Sequence, residues 1–260
     1  MTKFESDVLR FELRGKIAIL TLDRPEKSNA VNNRLIGDIN RFFQAPPSEA
    51  RAVVLCGEGR HFCAGLDLSE HKERDPVESF ETSRYWHRTL DMVELGGLPV
   101  IAAMKGAVMG GGLEIASATH VRVAEPSAVY QLPEGRRGIF VGGGATVRVT
   151  RIIGAGRTTE MMLTGRRVSA EEGQRLGLSH YLVGEGEAFD KAVELAGTVA
   201  DNAPMVNAMV LGAIGRIADM PRQEGLFTES VASALTQTST DARAGMEAFL
   251  DRREAKFERD

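Results

Sequence analysis

Two short runs, residues 52–56 and 99–104, are almost wholly apolar, the first leading directly into Gly57 and the second through Lys105 into Gly106. Nothing in either run alternates, so neither can present one face to water. Such segments read as strands covered on both faces, the signature of a parallel sheet flanked by helices. Residues 8–13 and 16–22, by contrast, alternate with the two-residue period of half-buried strands, and Arg14-Gly15 between them reads as a hairpin turn. Asn32 is placed to cap a helix in which Leu35, Ile36, Ile39 and Phe43 form one stripe. Residues 76–95 have helical spacing in Phe80, Trp86 or Leu90, and Leu95. Strands alternating with helices predict an α/β fold.

Beyond Gly165 the texture changes. Ser169-Ala-Glu-Glu172 is a capping-box pattern, and apart from a brief strand at 181–183 the rest reads as helix. Amphipathic segments at 187–201, 204–218, 224–237 and 240–257 suggest faces that bury against other subunits. The 260 residues, 43% hydrophobic, suffice for a large core without staples. A net charge of -4 offers no field to hold a phosphate backbone, which argues against nucleic acid as a partner. Cys56 and Cys63 lack disulfide or metal spacing, and the histidines 61, 71, 120 and 180 are scattered, so no metal site is implied. With neither a signal-like N-terminus nor a membrane-length apolar run, the expected location is the cytoplasm.

Three segments carry polar chemistry: 61–68, 106–115 and 130–138. In the second, a strand ending at Lys105 leads through glycines into a helix expected over 113–118. The first amides of a helix lack internal partners, and missing Cβ atoms let a ligand oxygen reach them. Glu114, three residues after Gly111, falls near that amide, although alone it reads first as a glutamate offsetting the helix dipole. Glu134 follows Leu132-Pro133, an extended dipeptide that suits a side chain delivered from a strand end, or simply a loop glutamate. No nucleophile elbow or dinucleotide fingerprint is present.

Taken in order, TLDRPEKSNAV (21–31), FCAGLDL (62–68), PVIAAMKGAVMGGGLEIA (99–116), YQLPEGRRGI (130–139), TRIIG (150–154), MMLTGRRVSAEEGQRLGL (161–178) and AFLDRREAKF (248–257) resemble the crotonase family, the enoyl-CoA hydratase/isomerase superfamily, over nearly the whole chain. That resemblance implies a crotonase-like spiral of ββα turns over residues 1–200 and a C-terminal helical trimerisation region over 201–260. It implies homotrimers that pair into hexamers, an acyl-CoA thioester as substrate, and no cofactor beyond the coenzyme A that the substrate carries. Backbone amides of Leu66 and Gly111 match the family's oxyanion hole, and Glu114 and Glu134 its two catalytic carboxylates. Coenzyme A contacts map onto Ala64, Asp67 and Leu68, onto Lys27, and onto a C-terminal basic residue such as Lys256 from this or another subunit.

In this scheme Glu114 activates water and Glu134 protonates the α-carbon, the pair titrating together. Hydration of a 2-enoyl-CoA is the leading expectation. A 3,2-trans-enoyl-CoA isomerase and a non-catalytic acyl-CoA-binding subunit are the alternatives. Three departures from the family pattern bear on the acyl group. Leu66 stands where a smaller residue is frequent, and Val141 where many relatives have proline. Tyr85-Trp86-His87 resembles an element of the 4-chlorobenzoyl-CoA dehalogenase branch, but that branch's nucleophilic aspartate would fall near Gly142.

Overall fold

The computed structural model describes residues 4–70 and 73–257. His71 therefore lies outside the described residues. The chain opens with the expected antiparallel hairpin, strands β1 (Leu9–Arg14) and β2 (Ile17–Leu22), registered from Leu9 opposite Leu22 to Arg14 opposite Ile17. Strands β3 (Ala52–Gly57) and β4 (Val100–Met104) then add in parallel, every residue of β4 being buried as its unbroken apolar run requires.

After β4 the chain repeats one pattern. A very short strand, β5 (Ala107–Met109), is followed by helix α3 (Gly111–Ser117). Strand β6 (Val121–Ala124) returns to the main sheet, β7 (Val129–Gln131) pairs with β5, and helix α4 (Ala145–Ile153) follows. These are the expected ββα turns of the spiral. Helix α5 (Ala155–Thr164), strand β8 (Val168–Ser169), helix α6 (Ala170–Leu176) and strand β9 (Tyr181–Leu182) complete it. The six-stranded sheet has the order β1-β2-β3-β4-β6-β9, and a second sheet has β5-β7-β8.

Helix α1 (Asn33–Gln44) starts at Asn32, whose side chain accepts the Leu35 N–H at 2.9 Å. Its buried stripe uses Phe42 in place of the expected Phe43. Helix α2 (Pro76–Leu95) is capped by Asp75 and buries Trp86, Thr89, Leu90 and Val93. Phe80, expected on that face, is 62% exposed, because the buried face runs at three- and four-residue steps from Trp86 and misses it. Helix α7 (Ala188–Ala200) covers the other face of the main sheet with Ala188, Ala192, Ala196 and Ala200, whose small side chains let the helix approach the strands closely. The expected capping box is half formed: the Ser169 hydroxyl accepts from the Glu172 amide, but the Glu172 carboxylate pairs with Arg166.

Three further helices follow, α8 (Pro204–Ile217), α9 (Arg222–Gln237) and α10 (Thr240–Leu250). The last ends seven residues short of the amphipathic pattern, and the tail beyond it folds back so that Arg51 donates to the Phe257 carbonyl at 2.7 Å. Among the described residues no helix is long and apolar enough to cross a membrane.

Candidate active site

Where β3 and β5 end, backbone pairs with backbone across three segments. The Val31 amide donates to the Gly65 carbonyl at 2.7 Å and Asp67 donates back to the Val31 carbonyl at 2.9 Å. Cys63 donates to Ala107 at 2.9 Å and accepts from Met109 at 3.1 Å. The groups that pair with Val31 are the Gly65 carbonyl and the Asp67 amide, so the Leu66 N–H takes no part in that bridge. It lies close to Gly111. The Leu66 nitrogen is 3.7 Å from where a Cβ on Gly111 would stand, and the Gly111 nitrogen is 3.6 Å from the equivalent point on Gly65. As the first residue of α3, Gly111 has no intrahelical acceptor. The helix begins at Gly111, two residues before the expected start at 113, because the glycines themselves take up helical backbone, and this makes the Gly111 amide the first of the helix.

Glu114 is 4% exposed, and its Oε1 accepts the Gly143 amide at 2.7 Å and the Ala145 amide at 3.1 Å. Burial pushes its carboxyl above the ordinary range, while those amides and the nearby Arg148 guanidinium pull the other way. Glu134 leaves the end of β7 on a short 3-10 turn after Pro133 and is 8% exposed. Its Oε2 is buried without a protein partner. Desolvation raises its pKa to about 7, and the negative charge of Glu114 adds to the effect. The two environments therefore differ: one carboxylate is held by hydrogen bonds that favour its charge, the other has none to spare.

Both carboxylates press on bare backbone. A Cβ on Gly110 would stand 2.5 Å from Glu134 Oε1, and one on Gly143 would stand 2.7 Å from Glu114 Oε2. Gly110 also has φ +49°, so any side chain there would meet both strain and collision. The two glutamates and the two amide-bearing residues share a cleft of about 260 Å³ whose other walls include Trp86 and Phe140. Leu66 and Val141, the two departures from the family pattern, line it as well. A larger depression of about 670 Å³ lies by β1, β2 and the start of α7, but it holds neither glutamate, and its Arg10 is already paired with Asp23 and Glu58.

The remaining expected residues are distributed around this cleft. Asp67 is buried, with its carboxylate ion-paired to Arg24 at 2.8 Å and bonded to the Ser69 hydroxyl at 2.6 Å. Those contacts, Ser69 first, hold its pKa down to about 2, and they fold the 67–70 turn onto Arg24. Ala64 donates to the Ser28 carbonyl, Leu68 is 45% exposed, and Lys27 reaches the Ser69 hydroxyl at 3.2 Å, so these three gather on one rim. Lys256 is exposed on the tail that docks beside Arg51, ahead of the first residue of β3, and its own chain does not bring it to the cleft. His87 sits on α2 with Nε2 3.4 Å from the Ser83 hydroxyl. Among the described residues no group of three or more His, Cys, Asp or Glu side chains is placed to hold a metal ion.

Two residues of the site escaped the sequence reading. Arg148, 7% exposed on α4, donates to the Gly143 carbonyl at 3.2 Å and pairs with Asp91 and Glu94 of α2. Ser83 donates to the Gly142 carbonyl at 2.7 Å. Both act on backbone, which leaves no motif; the available signal was an arginine set among apolar residues in Val147-Arg148-Val149.

A family model described as enoyl-CoA hydratase/isomerase matches residues 12–260. A short-chain-enoyl-CoA hydratase of Clostridium acetobutylicum is 33% identical over 250 residues, covering 93% of this chain and 94% of its own. Among solved structures, an enoyl-CoA hydratase of Bacillus anthracis superposes with a TM-score of 0.91 at 30% identity, covering 96% of this chain and 99% of its own. A protein of Rhodopseudomonas palustris CGA009, itself only provisionally described as an enoyl-CoA hydratase, reaches 0.92 at 49% identity over 94% of this chain and 95% of its own.

Proposed function

The chain belongs to the enoyl-CoA hydratase/isomerase family, and on that premise we propose that it adds water across the 2,3 double bond of a 2-enoyl-CoA thioester. The thioester oxygen enters between the amides of Leu66 and Gly111. As water attacks, charge moves from the alkene onto that oxygen, and each preorganised donor is worth about 2.7 to 4 kcal/mol in the transition state. Glu114, its pKa raised by burial but its charged form supported by two amides, takes a proton from the water that bonds to the β-carbon. Glu134, with a pKa of about 7, is protonated often enough near neutrality to give its proton to the α-carbon. No resident cofactor is needed.

The observation that carries this reading is the contrast between the two buried glutamates, one clamped by two amides and the other with an unpartnered oxygen in the same cleft. The same contrast favours one second reading. In a 3,2-trans-enoyl-CoA isomerase the unpartnered Glu134 would shuttle a proton between carbons while Glu114 supports it. Separate incubation with a 2-enoyl-CoA and a 3-enoyl-CoA, followed by mass analysis, decides between them. A gain of one water supports hydration and an isobaric product supports isomerisation. Tight binding with no product across a broad thioester panel would leave only a non-catalytic acyl-CoA-binding subunit.

The working form in this proposal is a cytoplasmic homotrimer, or a hexamer of two trimers, with the apolar faces of α8 to α10 at the contacts. Lys27, Ala64, Asp67 and Leu68 form the rim that takes coenzyme A, and Lys256 of a second copy completes it. Leu66 and Val141 select the acyl group from within the cleft.

A further inference from the structure

Residues 142–144 are three glycines, yet their amides must be aimed at Glu114 with some accuracy. Glycines do not hold a conformation on their own, since nothing on the Cα restricts φ. Something outside the segment must fix it, and two side chains do.

The first is Ser83 on α2. Its hydroxyl donates to the Gly142 carbonyl at 2.7 Å, and the peptide group containing that carbonyl also contains the Gly143 N–H, which donates to Glu114 Oε1 at 2.7 Å. One planar unit thus receives a hydrogen bond at its oxygen and passes one on from its nitrogen. Donation into the carbonyl polarises the N–H and strengthens its hold on the carboxylate. Because the single Ser83 proton is committed to Gly142, the contact of Ser83 with His87 Nε2 at 3.4 Å uses the imidazole as donor. The second side chain is Arg148, which grips the next carbonyl, that of Gly143, and is itself held by Asp91 and Glu94 of α2.

We propose that Ser83, steadied by His87, is a positioning residue for Glu114, acting through the single peptide group that joins Gly142 to Gly143. The proposal rests on the reading of Glu114 as the base that activates water. Glu114 faces Glu134 across the cleft and Arg148 from α4, and the charge of Arg148 is balanced by Asp91 and Glu94 from α2. Against that background, loss of the Ser83 hydroxyl removes support for the ionised form of Glu114. Its pKa rises, so the acid limb of the rate profile moves to higher pH.

The test compares Ser83→Ala, Ser83→Thr and His87→Phe with the unaltered enzyme, measuring kcat, KM and the pH profile of kcat/KM with a 2-enoyl-CoA. For Ser83→Ala the expected result is a fall in kcat of about ten-fold, the worth of one hydrogen bond in a charged chain. KM stays nearly constant and the acid limb moves upward. Ser83→Thr, which keeps the hydroxyl, restores both, and His87→Phe gives a smaller change of the same sign. A Ser83→Ala enzyme whose kcat and acid limb match the unaltered enzyme would overturn the proposal, as would a change confined to KM, which is what a hydroxyl touching substrate would produce. Infrared titration of the Glu114 carboxylate, isolated by difference against Glu114→Gln, reads the same shift without turnover. No shift there on loss of the hydroxyl sinks the proposal whatever reaction the enzyme catalyses, whereas an unaltered enzyme that forms no hydrated product faults only the hydratase reading.

Discussion

The spiral and the three helices that follow it handle apolar surface in opposite ways. In the spiral, strand β4 is buried along its whole length and Phe42 is 2% exposed, clustered with Phe4, Phe11 and Phe43 at centroid distances of 5.2 to 6.0 Å. Helices α8, α9 and α10 bury only Gly225 and Ala248, while Ile214 is 62%, Phe227 70% and Phe249 82% exposed. Isolated exposed apolar residues are ordinary, but a succession of them along three helices is not. The contrast separates two jobs within one chain. The first region supplies its own core and holds the cleft; the second leaves large apolar side chains on the outside of the described chain.

The largest expected effect lies in the first region. Glu134→Gln should lower kcat by about 10²- to 10⁴-fold with little change in affinity for the thioester, because the amide still fills the space but has no acid proton to give. Steady-state kinetics with parallel binding measurements check it, and near-normal turnover would remove Glu134 from the chemistry. Phe42→Ala should cost about 3 to 5 kcal/mol in denaturant unfolding, since the aromatic cluster around it is too constrained to collapse. A loss below 1 kcal/mol would mean that the spiral is less tightly packed than described.

Glu134 also links function to stability. Its pKa rises from 4.5 in the unfolded chain to about 7 in the folded one, so the folded state binds the proton more tightly. Its environment imposes no penalty below about pH 4.5; the penalty grows as pH climbs and is complete above 7. Relative to the unaltered chain, Glu134→Gln should therefore gain on the order of 2 to 3 kcal/mol at pH 8 and nothing at pH 4. Unfolding curves at the two pH values test the sign, and a gain larger at the acid end would contradict it.

Smaller effects probe the second region. Phe249→Ser should leave unfolding of a dilute, single chain within about 0.5 kcal/mol of the original, yet shift sedimentation at high concentration toward smaller species. Unchanged sedimentation would show that this face contributes nothing to assembly. Smallest of all is Phe80→Ser on α2, expected within about 0.5 kcal/mol because that side chain is already 62% exposed. A larger loss would restore it to a buried stripe.

Phe80 marks one limit of what the sequence discloses. Helical spacing locates a helix but leaves its buried face open when apolar residues occur on both sides, and only the packed neighbour, here helix α1, decides. The first hairpin was legible through β1, whose burial alternates, and the Arg14-Gly15 turn, whereas β2, expected half-buried, is buried on both faces because its residues pack into the core on either side of the sheet. Strands β5 and β8 were not legible, for two or three residues are too few to show any period, and β7 showed only as the strand end ahead of Pro133. Helices α4 and α5 went unread beside the glycines at 142–144 and Gly154, which suggest loop. Within the cleft the glutamates were legible through the ordered family motifs, whereas Ser83 and Arg148 were hidden because they hold peptide groups, and a peptide group looks the same at every position.

The pairing of Leu66 with Val31 and of Cys63 with Ala107 and Met109 has an evolutionary corollary. Main-chain bonds between distant segments set the direction in which residue 66 offers its hydrogen, and its side chain takes no part in that. Under the proposed reaction, position 66 is therefore free to exchange one residue type for another, reshaping the cleft wall while its backbone amide stays where it was. Specificity in such an enzyme can drift in small steps, with no intermediate that must first give up catalysis.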